Sequence, residues 1–131
     1  MPLDRFTVAR VIAASPAQIY AAWLSSEQHA GFTGAEASLE PEVGGAIRCW
    51  GGFITGHILS LEPDRRMVFA WRTQAFPDGA GPSRVEVTLE PAEGGTRVRV
   101  DHSEIPTGQG KDYFAGWQER YFDKLDAWFA R

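Results

Sequence analysis

A chain of 131 residues, 44% hydrophobic and 23% charged, has the size and composition of one ordinary globular domain and is too apolar to remain disordered. Its net charge of −4 excludes the basic field that nucleic acid or an anionic membrane demands, so neither is expected as a partner. A single cysteine, Cys49, excludes an internal disulfide and a tetrathiolate zinc site.

Met1 to Arg10 lacks the apolar run of a signal peptide, and no segment approaches the ~20 apolar residues of a membrane-spanning helix; a cytoplasmic protein is expected. Phe6, Val8 and Ile12 alternate with Thr7 and Ala9, the pattern of a first strand. Ser15-Pro16-Ala17-Gln18 then predicts a helix start, with Ser15 as cap, Pro16 in the first turn and Gln18 closing a capping box. Ile19, Tyr20, Trp23 and Leu24 follow on one helical face. Ser26 is expected to cap a second short helix running through His29, and Gly31 to end it.

From Ala35 to His102 strands and turns take over. Gly44-Gly45 suits a bulge or bend, and Gly51-Gly52 between two apolar runs predicts a tight hairpin. Phe53 to Leu61 reads as one strand, and Glu62-Pro63-Asp64 as a turn. Met67, Phe69 and Trp71 alternate with Val68, Ala70 and Arg72, and residues 76–82 form a loop rich in glycine and proline. Val85, Val87 and Leu89, then Val98 and Val100, alternate with polar residues across a Glu93-Gly94-Gly95 hairpin. That alternation means one face of an antiparallel sheet meets water. The longest helical pattern, with Phe114, Trp117, Tyr121, Leu125 and Trp128 at spacings of three and four, predicts a helix over 112–130, roughly 28 Å long. It alone is large enough to cover the dry face of the sheet. The expected fold is α+β: one domain over 1–131, a curved antiparallel sheet wrapped around a long C-terminal helix, with two short helices after the first strand.

Ala14-Ser15-Pro16, Phe32-Thr33-Gly34, Val43-Gly44-Gly45, Gly52 with Gly56, Trp71-Arg72, Gly95-Thr96, Ile105-Pro106 and Gly116-Trp117 run in order along nearly the whole chain. In these motifs the chain resembles the activator of Hsp90 ATPase homologue family, within the START-like, or polyketide cyclase-like, helix-grip domains. The resemblance implies the helix-grip fold and two activities: a cavity for an apolar ligand, and binding to an Hsp90-type chaperone. The eukaryotic activator it resembles also has an N-terminal domain that carries much of the chaperone contact. Gly116, costly inside a helix by ~1 kcal/mol against alanine, is expected to let the helix approach the sheet closely.

No residue set stands out as catalytic. His29, His57 and His102 fall on different elements, and no H-x-x-x-H or C-x-x-C spacing occurs, so neither a metal nor a cofactor is expected. Cys49 has no base beside it in sequence and reads as a buried thiol. Asp101, His102, Glu104 and Tyr113 could form an acid–base group, but alternation sends Asp101 and His102 to opposite faces. Arg10 and Arg48 read as solvated charge, and Arg72 as an outer or rim residue. The 5 Trp and 8 Phe are heavy usage for this length. Trp117 and Trp128 are expected as core filler. Trp50, Phe53, Phe69 and Trp71, with His102 at the rim and Trp117 behind them, are the candidate contacts for a hydrophobic small molecule. Three functions stay open: a non-catalytic ligand-binding domain, a co-chaperone for an Hsp90-type ATPase, and a small cyclase- or hydrolase-like enzyme.

Overall fold

The computed structural model describes residues 3–130; Met1, Pro2 and Arg131 lie outside the described residues. Seven antiparallel strands form one sheet in the order β1-β7-β6-β5-β4-β3-β2: β1 Asp4–Ile12, β2 Ser38–Leu39, β3 Ala46–Cys49, β4 Ile54–Glu62, β5 Arg66–Thr73, β6 Ser83–Ala92 and β7 Gly95–Ile105. Helices α1 (Pro16–Leu24) and α2 (Ser26–Thr33) follow β1. A terminal helix closes the chain as α3 (Gly110–Trp117), a π turn (Gln118–Phe122) and α4 (Asp123–Ala130). One sheet face, carrying Val8, Ile58, Phe69, Val87 and Val100, packs with Trp117, Tyr121, Phe122 and Leu125 in a single apolar core. This is the expected helix-grip arrangement.

Local rules account for the start of α1. Ser15 Oγ accepts from the Gln18 N–H, and the Gln18 side chain accepts from the Ser15 N–H, satisfying two donors that the first turn would otherwise leave open. The second helix departs from expectation. Ser25 rather than Ser26 caps it, accepting from the Gln28 N–H, and it runs on to Thr33, ending at Gly34 with φ 77°. Gly31 is not the stop. A methyl group there would come within 2.7 Å of the Trp128 ring, so this glycine seats α4 against α2.

The expected hairpin at Gly51-Gly52 is four residues long, since Cys49 pairs with Ile54. Trp50, Gly51 and Gly52 all take positive φ, and Phe53 belongs to the turn rather than to β4. Gly44 and Gly45 bond to Ile58 of β4, and the register of β4 on β5 slips between Ile58 and Ser60, so the irregularity lies opposite the glycine pair. Gly56 sits where a Cβ would be 1.8 Å from the Ala70 carbonyl oxygen; no side chain fits.

The terminal helix begins at Gly110, before Asp112, and is not one regular α-helix. Phe114 is 45% exposed, while Phe122, absent from the expected stripe, is 1% exposed. Arg10 is not solvated charge. It reaches Asp123 at 2.6 Å and Asp126 at 2.9 Å on α4 and lies over the Phe122 ring. It thereby ties the edge strand to the helix. Arg72 donates to the Ala80 and Pro77 carbonyls and stacks on Phe76, pinning the loop after β5. Among the described residues no helix is long and apolar enough to cross a membrane.

Candidate functional site

A cleft of about 340 Å³ opens between the β3–β4 hairpin, the end of β5 and the terminal helix. The hairpin contributes Trp50, Phe53 and Ile54, and β5 contributes Trp71; the helix contributes Asp112, Tyr113, Gly116, Trp117, Arg120 and Tyr121. The volume falls within the range of small-molecule sites. Gly116 faces this space: a Cβ there meets nothing within 4 Å. The expected close approach of helix to sheet at Gly116 is therefore corrected; its missing side chain widens the cleft.

The hairpin holds Trp50 in a conformation that bulky residues avoid, with φ 54°, which costs of order 1–3 kcal/mol. What fixes it is a set of bonds around the turn. The Gly51 N–H donates to the Glu36 carbonyl, Arg48 donates to the Gly51 carbonyl, and Gln74 donates to the Gly52 carbonyl. Arg120 stacks over the Trp50 ring at 5.6 Å. The Trp50 Nε1–H is buried and has no hydrogen-bond partner. The Tyr121 hydroxyl is near enough to feel the indole dipole but lies outside hydrogen-bond geometry.

Four of the six candidate contacts, Trp50, Phe53, Trp71 and Trp117, come together on the cleft. The other two stand behind it. Phe69 borders a void of about 10 Å³ with Trp23, Cys49 and Trp71, room for a water at most. His102 lies behind the aromatic wall, 1% exposed, with its ring 4.7 Å from that of Trp71. Both of its nitrogens are engaged. Trp117 Nε1–H can only donate, so His102 Nδ1 accepts from it at 3.0 Å. His102 Nε2–H then donates to Ser83 Oγ at 2.9 Å, and the Ser83 hydroxyl in turn donates to the Trp71 carbonyl. Burial pushes the His102 pKa down to about 3.

A second neutral histidine sits under the helix. His29 Nδ1–H donates to the Trp23 carbonyl at 2.8 Å, which leaves Nε2 to accept from the Tyr121 hydroxyl at 3.0 Å. Burial lowers the His29 pKa to about 4, raises that of Cys49 to about 12, and lifts Tyr121 well above the usual phenol range. Tyr113 is equally committed, donating to Gln109 Oε1 and accepting from Thr73 Oγ1. The acid–base group of Asp101, His102, Glu104 and Tyr113 does not assemble: Asp101 bonds Thr7 and Arg99 on the outer face. Among the described residues, no three His, Cys, Asp or Glu side chains gather to hold a metal ion. Sequence reasoning missed Tyr113, Tyr121, Asp112 and Arg120 as cleft residues. The i, i+4 steps from Tyr113 to Trp117 to Tyr121 were the available signal.

The family model described as activator of Hsp90 ATPase homolog 1-like protein matches residues 13–130. The human activator of 90 kDa heat shock protein ATPase homolog 1 is 26% identical over 129 residues, covering 98% of this chain and 38% of the human protein. The chain thus spans well under half the length of that relative. An Hsp90 activator from Plasmodium falciparum superposes with a TM-score of 0.88 at 18% identity, covering 96% of both chains. The Aha1 dimer from Colwellia psychrerythraea does so at 0.77 and 22%, covering 95% of each. At these identities the structural likeness establishes the fold.

Proposed function

The chain belongs to the activator of Hsp90 ATPase homolog 1-like family, and on that premise we propose that it is a non-catalytic binding domain, acting as one unit over 1–131. Its ligand is an apolar or aromatic small molecule held between sheet and terminal helix. The observation that carries this reading is the cleft of about 340 Å³ walled by Trp50, Phe53, Trp71 and Trp117. Its polar groups do not favour chemistry: the Tyr113 and Tyr121 hydroxyls are spent on internal bonds, and His102 is walled off from the cleft. A cyclase- or hydrolase-like enzyme would have as its base only Asp112, an exposed carboxylate in the first turn of the terminal helix. The test is a thermal-shift screen of apolar and aromatic compounds, followed by tryptophan fluorescence. A ligand of the native state adds ~2.7 kcal/mol of stability at a hundredfold excess over its dissociation constant. A screen in which no such compound raises the melting temperature refutes the reading.

A second reading is binding to an Hsp90-type chaperone, favoured by the family and by the activators among its relatives. On this reading the domain binds its own organism's Hsp90 homologue and stimulates its ATPase modestly. Steady-state ATPase assays with isothermal titration test this. Strong stimulation at micromolar protein puts the chaperone reading first.

A further inference from the structure

We propose that the cleft selects planar aromatic molecules that carry an anionic hydrogen-bond acceptor, and that Trp50 and Arg120 recognise that group together. The inference rests on the reading of the cleft as a ligand site and adds the chemistry of the ligand. Its starting point is the Trp50 indole N–H, a donor with no acceptor in the wall of a cleft otherwise built from aromatic rings. A buried donor left unpaired is costly, and a ligand acceptor at that point relieves the cost. The second observation is independent. Arg120 is the only cation of the lining, and among the described residues none of the ion pairs engages it. Its guanidinium is parked on the Trp50 ring itself.

Donor and cation therefore meet at one end of the cleft. The one carboxylate of the lining, Asp112, sits two turns earlier on the helix, roughly 12 Å along its axis from Arg120. That separation sets the polarity of the site: a ligand anion is drawn to the Trp50 end and away from Asp112. An aromatic cage beside a carboxylate also suits a quaternary ammonium, but here the guanidinium already occupies the indole face that such a cation would need. On this proposal an anion that draws Arg120 into an ion pair also accepts from the N–H of the indole on which Arg120 rests. Trp71, Tyr113 and Trp117 then bracket the ring system of the ligand.

Equilibrium dialysis of three probes that share one ring system tests the idea: 2-naphthoate, naphthalene and 2-naphthyltrimethylammonium. The carboxylate is expected to bind at least tenfold more tightly than the hydrocarbon. Arg120→Gln, at an exposed position that leaves the core intact, and Trp50→Phe, which keeps a ring but removes the N–H, should each erase most of that preference. Equal affinity for naphthalene and naphthoate, tighter binding of the ammonium, or a preference that survives both variants overturns the proposal while leaving the cleft a ligand site. Failure of all three probes to bind overturns both readings together.

Discussion

Acid should weaken this fold well before its carboxylates titrate. His29 and His102 are both held neutral, with pKa values pushed down to about 4 and about 3 by burial. In the unfolded chain each takes up its proton near the ordinary histidine value of 6.5. Between those limits the unfolded state binds more protons, so stability is complete above pH 6.5 and falls as pH falls, by about 1.4 kcal/mol per unit for each histidine. Lowering the pH from about 7.5 to about 5 therefore costs roughly 4 kcal/mol from the two together, a large share of the ~5–15 kcal/mol of an ordinary domain. Glu86, held below its usual range by its bond to Arg66, adds its own loss only at still lower pH. Urea denaturation followed by circular dichroism at about pH 7.5 and 5 measures the difference. His102→Gln keeps a polar side chain against Ser83 and Trp117 and removes one of the two protons, so it should halve the slope. A stability that changes by less than about 1 kcal/mol between the two pH values would show that these histidines are not held neutral by the fold, and the reasoning fails.

Two substitutions probe the cleft from opposite sides. Trp117 is 4% exposed, lies against Trp23 and Tyr121 and donates to His102, so Trp117→Ala should cost ~3–5 kcal/mol in urea denaturation; a loss under a kilocalorie refutes its place as core anchor. Gly116→Ala, with nothing within reach of the new methyl group, should instead stabilise the helix by ~1 kcal/mol and weaken ligand binding by narrowing the cleft, and a destabilised variant contradicts the open space drawn there.

What was legible in the sequence was what depends on neighbours along the chain. The capping box at Ser15 and Gln18 is a four-residue pattern with one physical solution, and it formed as read. Val85, Val87, Val98, Val100 and His102 point inward because alternation in a half-wet sheet leaves no alternative. What could not be read depends on contacts across the chain. Gly31 looks like a helix stop until Trp128, nearly a hundred positions away, is found seated on it. Arg10 looks solvated until Asp123 and Asp126 arrive beside it. For the cleft, inward-facing aromatics named its walls, but facing inward does not separate the layer that lines a space from the layer behind it. Trp71 and Trp117 fall in the first layer, Phe69 and His102 in the second. Trp50 and Phe53 were legible as aromatics at a glycine hairpin, whereas the unpaired indole proton of Trp50 was not.

The π turn has a consequence for how this helix can change. An α-helix advances roughly 100° per residue, so Leu125, eight positions after Trp117, would overshoot it by roughly 80° on an uninterrupted helix. The extra residue lodged in Gln118–Phe122 takes up that excess, and Trp117, Tyr121 and Leu125 all remain buried. The turn acts as a coupling between two segments with separate duties. Downstream, α4 is moored by Arg10, by the Trp128–Gly31 seat and by Leu125. Upstream, Tyr113, Gly116 and Trp117 present the cleft, with Arg120 on the turn itself. A lineage that swaps exposed residues on the upstream segment retunes what the cleft accepts while the mooring stays untouched, and deleting one residue from the turn leaves Leu125 seven positions, roughly 700°, after Trp117 on a regular helix, which keeps both on one face.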